Sequence, residues 1–202
     1  MRYIVPAMLL LLVTAACRGD FEGVEAHAAE PIGGGVVDSI FPIEEELRRF
    51  RADLPSEATA LAEVAPSREV LVERFVAALA RADLADLQSL ALDRSEFAYL
   101  YYPFTRYTHP PYELSPGLLW FQLQNRSSRG LTRALNRFGG EPLRYLRHEC
   151  NSVPVKDERN TLWPNCEVEL RLPNGESHRG RLFGTVIERE GRFKFVSYSN
   201  GL

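Results

Sequence analysis

Lysine is almost missing from this chain. Lys156 and Lys194 are the two lysines among 24 basic residues, so an arginine at any one position carries no special message. Against 27 acids the net charge is −3, and this mild acidity argues against nucleic acid as a partner. There is no Cys/His cluster at zinc spacing and no Ser-His-Asp set with supporting context. Gly33-Gly34-Gly35 lacks the lysine and the strand–helix setting of a phosphate loop. We therefore expect no metal and no cofactor, and the catalytic residues, if any exist, stay unassigned. The apolar run 8–13 is too short to cross a bilayer as a mature helix. Cysteine is scarce, at three residues, and each of the three has a reading below.

Residues 1–16 read as a targeting segment, with Arg2 ahead of the apolar run. Thr14-Ala15-Ala16-Cys17 resembles the bacterial lipoprotein cleavage box, with Thr14 where leucine is commonest. That resemblance implies cleavage before Cys17, lipidation of Cys17 and a membrane partner through the lipid. The alternative is an ordinary signal peptide with Cys17 an incidental thiol. Arg18, rather than aspartate, favours the outer membrane and a protein facing the periplasm. Loss of 1–16 removes Arg2 and no acid, moving the net charge from −3 to −4. Residues 17–38, rich in Ala, Gly and Glu, read as a flexible tether.

Residues 39–66 read as a short helical segment of two helices. Ile43, Leu47, Phe50 and Leu54 form an apolar stripe, and Glu44–Arg48 and Glu45–Arg49 are available as pairs one turn apart. From 67 to 93 two further helices are predicted. Leu71, Phe75, Ala78 and Leu79 make the face of the first, and Ser67 caps it. Asp83 caps the second, which carries Leu84, Leu87, Leu90 and Ala91. An aromatic stretch follows, with a short strand expected at 97–102 and a proline-rich loop after it. Tyr99, Tyr101 and His109 belong to a pocket rim or to a loop packed by its own rings. Residues 115–138 read as a helix broken near 127–130, with Trp120, Leu123, Leu131, Leu135 and Phe138 on its buried face. Arg126, Arg129, Arg133 and Arg137 form a stripe that reads as a solvated face or as a surface for anions.

Four antiparallel strands are predicted at 143–150, 162–172, 179–189 and 192–198. Asn174-Gly175 and Glu190-Gly191 mark turns. With Cys17 used by the anchor, Cys150 and Cys166 are left for a disulfide in an oxidising compartment; the alternative is two buried thiols. If they face each other, His148 pairs with Val168, Leu146 with Leu170 and Arg147 with Glu169, while Glu149 meets Glu167 unfavourably. Leu182, Val186, Phe193 and Phe195 then share the face of Val168 and Leu170. Phe183, Ile187, Val196 and Tyr198 fall on the opposite face. That face needs a cover, either the helix at 43–54 or a second copy in a homodimer.

The helix pair around residues 80–90 (ARADLADLQSL) and the closing residues 182–202 (LFGTVIEREGRFKFVSYSNGL) resemble the nuclear transport factor two-like, or ketosteroid-isomerase-like, cone fold. The resemblance covers 67–202. It implies an α+β fold, with N-terminal helices packed on a strongly curved, cone-shaped antiparallel sheet whose concave face is the pocket. Isomerases of this type use a tyrosine and a protonated acid opposite a carboxylate base. The first helix here has no tyrosine, and Asp93 and Glu96 match no such set residue by residue. His148, Tyr99, Tyr101, Trp120 and Phe195 are the candidate pocket residues. Our first expectation is a lipid-anchored envelope protein that binds a small apolar ligand or an envelope protein without chemistry. The alternatives are a small lyase- or isomerase-type enzyme using a pocket histidine and tyrosines, and a dimerising structural adaptor.

Overall fold

The computed structural model describes residues 41–63 and 65–202; the leader, Cys17 and the tether lie outside the described residues. The fold is α+β, with helices and two antiparallel sheets. Its helices are α1 (Ile43–Ala52), α2 (Arg68–Ala80), α3 (Leu84–Ser89), α4 (Arg94–Glu96) and α5 (Pro116–Phe138). Its strands are β1 (Arg144–Glu149), β2 (Val155–Asp157), β3 (Asn160–Trp163), β4 (Glu167–Arg171), β5 (Ser177–Gly180), β6 (Val186–Arg189) and β7 (Arg192–Phe195).

Local signals place most helix ends. The Ser67 hydroxyl accepts from Val70 N at 3.2 Å and opens α2, and the Asp83 carboxylate accepts from Asp86 N at 3.0 Å and opens α3. In α1 it is Glu45 that takes both arginines, Arg48 and Arg49, each at 2.7 Å, so the expected Glu44–Arg48 pair is replaced by one a residue closer. The second short helix expected before residue 66 does not form; the chain after α1 is irregular.

The strand expected at 97–102 is helical. Asp93 and Glu96 form a capping box, in which Glu96 N donates to Asp93 Oδ1 at 2.7 Å and Asp93 N to Glu96 Oε2 at 2.9 Å. That start drives α4 directly into a wide helical turn at Phe97–Tyr101, against the strand preference of its aromatic residues. The β-bridge to the sheet lies earlier, where Ala91 pairs with Phe195. α5 is also unbroken. Gly130, in its interior, lets the Tyr198 carbonyl sit against the helix, and a Cβ there would overlap that oxygen.

One bent sheet was expected, and two are present, ordered β1-β4-β5 and β2-β3-β6-β7. Two of the predicted long strands are each divided, at 164–166 and 181–185, where the chain passes from one sheet to the other. Pro164 and Asn165, the latter with φ 52°, make the crossing from β3 to β4. The residues left between the first two predicted strands, 151–161, contain strand β2 and the start of β3. Both turn signals hold: Gly175 has φ 84°, and Glu190 and Gly191 have φ 54° and 73°.

Cys150 and Cys166 form a disulfide, and the register beside it pairs His148 with Val168, Arg147 with Glu169 and Glu149 with Glu167. The register then shifts between Tyr145 and Arg147, so Leu170 faces Tyr145 rather than Leu146. Arg179 relieves the Glu149–Glu167 repulsion by donating to both carboxylates at 2.8 Å.

Two apolar cores result. The first joins Leu71, Phe75 and Leu79 of α2 to the C-terminal half of α5 and to Val168, Leu170, Val186 and Phe195. Phe183 and Tyr198 belong to it too, contrary to the expected alternation, because the chain leaves strand geometry at 181–185 and after Phe195. The second core holds Ile187 and Val196 of the other face, with Phe97, Leu100, Tyr102 and the N-terminal half of α5. The apolar stripe of α1 packs into this second core, chiefly against α5 and the turn at Phe97–Tyr101. The second face is thus covered within the chain.

Candidate functional site

A buried polar frame fixes the aromatic segment. Glu96 and Lys194 form an ion pair at 2.7 Å, their side chains 1% and 4% exposed. Glu96 also accepts from Ala62 N at 2.7 Å. Asp93 and Glu96 are therefore committed to backbone N–H groups and to Lys194, which suits a structural role rather than that of a free base. Asn160, on β3, donates to Leu100 O at 2.8 Å and accepts from Arg189 Nη1 at 3.0 Å. The Tyr102 hydroxyl donates to Leu114 O at 2.7 Å. Burial pushes the Tyr102 phenol up to about 12, so it stays a neutral donor.

The aromatic segment that this frame holds lines two adjoining clefts. The wider, about 550 Å³, lies between the aromatic segment and the β2–β3 hairpin. Tyr101, Phe104, Tyr107, Val155, Leu162 and Pro164 line it, together with Arg106, His109, Lys156, Asp157 and Glu158. The narrower, about 310 Å³, lies between α5 and the crossing at 181–185; Gln122, Arg126, Asn165, Arg181 and Ser197 line its polar side. The two share Tyr101, Tyr107, Pro164 and Thr185. The Tyr101 hydroxyl is held neutral by burial, its pKa pushed up to about 12. Burial, with Glu158 adding to it and His109 opposing it, raises the Asp157 carboxyl. Both volumes fall in the range of sites that take small organic molecules.

The candidate residues are not gathered in one place. Tyr101 lines both clefts. Tyr99 lies under the Arg51 guanidinium, 4.3 Å from its ring centre. Trp120 packs on Phe97 at 5.1 Å and lines a separate groove with Tyr198. Phe195 is fully buried in the first core. His148 lies in another groove with Glu69 and Trp163, its Nδ1 2.8 Å from the Tyr145 hydroxyl and 3.4 Å from Glu69. Desolvation depresses the His148 pKa despite Glu69, which favours the neutral ring over an ion pair with Glu69.

Arg181, Tyr107 and Asp157 escaped the sequence reading. Arg126 did appear there as part of a helical stripe. Nothing in one-dimensional spacing tells that it meets Arg181 across a cleft. Among the described residues no group of three or more His, Cys, Asp or Glu side chains could hold a metal ion, and no helix is long and apolar enough to cross a membrane. No family model, curated protein or solved structure matches this chain.

Proposed function

We propose that this chain is an exported envelope protein, anchored to the outer membrane by lipid on Cys17, whose α+β domain binds a small molecule with an apolar body and does not transform it. The observation that carries the reading is the wider cleft, lined by rings and aliphatic side chains and sharing Tyr101, Tyr107, Pro164 and Thr185 with a second cleft. The Cys150–Cys166 disulfide supports an oxidising compartment. Kinship with the nuclear transport factor two-like cone remains our proposal for the fold; it is supported by the helix order and by a chain that crosses three times between antiparallel sheets. A second reading is an enzyme of the lyase or isomerase type. It is favoured by Asp157 and His109 both lining the wider cleft, where a carboxyl group and an imidazole are the residue types that serve as general acid and base.

The experiment is native mass spectrometry of the full chain, exported to a periplasm and purified without reductant. The expected result is a mass two hydrogens light, with a small organic molecule retained. Thr185→Trp, which fills the shared wall of the clefts, is expected to abolish that retention. Retention unchanged in T185W would overturn the reading, and so would free thiols together with an empty protein. A retained molecule that is chemically altered on incubation would replace it with the enzyme.

A further inference from the structure

The two clefts differ in charge. The wider one carries Arg106 and Lys156 against Asp157 and Glu158, so its charges balance. The narrower one is lined by Arg126 and Arg181 and by no acid at all. Arg181 reaches Asn165 Oδ1, a neutral acceptor, at 3.5 Å, and neither arginine has an acidic partner among the described residues. Gln122 and Ser197 add neutral polar groups on the same wall. The guanidiniums come from distant parts of the chain, one from α5 and one from the crossing between β5 and β6.

We propose that the narrower cleft is an anion subsite, and that the ligand is an amphipathic carboxylate. Its apolar body lies in the wider cleft and its head lies between Arg126 and Arg181. The inference rests on the reading that the paired clefts hold a small molecule. The direction of binding follows from charge. A carboxylate placed in the wider cleft meets Asp157 and Glu158, whereas in the narrower cleft it meets guanidinium donors whose planar fork matches its two oxygens. Tyr101, which lines both clefts as a neutral phenol, offers a donor at their junction. Both arginines are exposed, so their contribution is screened by salt.

The test uses the full chain carrying Cys17→Ser, so that no acyl group competes, and titrates it by calorimetry. The probes are decanoate and its neutral counterpart decanamide, each below its aggregation concentration. Decanoate is expected to bind at least about tenfold more tightly, the product of two exposed charge contacts worth a few-fold each. Arg126→Gln and Arg181→Gln are each expected to weaken decanoate a few-fold and to leave decanamide unchanged, which also shows that the variants are folded. Added sodium chloride is expected to weaken decanoate alone. Equal affinity for the two probes would overturn the anion subsite and leave the small-molecule cleft standing. Tighter binding of decanoate that neither arginine substitution reduces would overturn the assignment to this cleft. Binding of neither probe would overturn the cleft reading and the subsite with it.

Discussion

Around Phe75 the first core is built from rings and aliphatic chains, with Phe183, Phe195 and Tyr198 at 5.5, 5.7 and 5.8 Å from it. Around Phe97 the second core is flanked by buried charge, with Glu96–Lys194 on one side and Arg189, held by Asn160 and Leu100 O, on the other. The first arrangement draws its stability from area removed from water and from ring packing, neither of which demands one partner rather than another. The second depends on its ionic and polar groups finding partners, because an unmatched charge in such a place is strongly unfavourable, and Arg189, whose buried Nε has no partner, bears part of that cost. The clefts border the second core. A side chain that must be positioned, rather than merely buried, is best held by groups that tolerate no alternative.

Substitutions can break this contrast, and the largest effect is expected where the most packing is lost. Phe75→Ala removes a fully buried ring with three aromatic neighbours and should destabilise by ~3–5 kcal/mol in urea titration, with little dependence on salt. Glu96→Gln leaves Lys194 buried without a counter-charge and should also destabilise strongly, by ~3–5 kcal/mol. Here the cores should part company. Adding Lys194→Met to E96Q should recover part of the loss, since no charge is then stranded, whereas no second change at a neighbouring ring restores F75A. Full additivity of E96Q and K194M would show that the two side chains are not coupled.

Reduction of Cys150–Cys166, which lies 16 residues apart in sequence, should lower stability by about 3 kcal/mol. A C150S/C166S variant should show that lower stability with or without reductant. Asn160→Ala removes one acceptor of Arg189 and a donor to Leu100 O; it should destabilise by ~1–3 kcal/mol and weaken ligand retention by releasing the backbone beside Tyr101, which lines both clefts.

The smallest effect is with pH. His148 and His178 are both depressed below the ordinary 6.5, chiefly by burial, with Arg68 and Arg137 adding to it and Glu69 opposing it at His148. The unfolded chain therefore takes up more protons than the folded one as pH falls below 6.5. The stability that these neutral rings contribute is present above that value and is lost progressively below it. Urea midpoints should fall from pH 7.5 to 5, and H148Q/H178Q should flatten the decline.

Features with short-range causes were legible. The α2 stripe, the caps at Ser67 and Asp83, the two hairpin turns and the disulfide with its register at Arg147–Glu169 all depend on residues within a turn of one another or on two cysteines in paired strands. The turn at Phe97–Tyr101 was misread because aromatic composition favours strand, while the capping box at Asp93 and Glu96 outweighed it. Phe183 and Tyr198 were assigned to the wrong face because alternation has meaning only while the chain stays in a strand.

The sequence by itself determined the α+β class, the α2 boundaries and the start of α3, the cysteine pair and the need for a cover over the second sheet face, because periodicity, capping and turn chemistry act locally. Only the tertiary structure decided where the strands cross between sheets, what buries Lys194, and that Arg126 and Arg181 line one cleft. Those outcomes depend on contacts between residues far apart in the chain. Such contacts are selected by packing and by the high free energy of a buried charge without a partner, and neither is written in the spacing of residues along the chain.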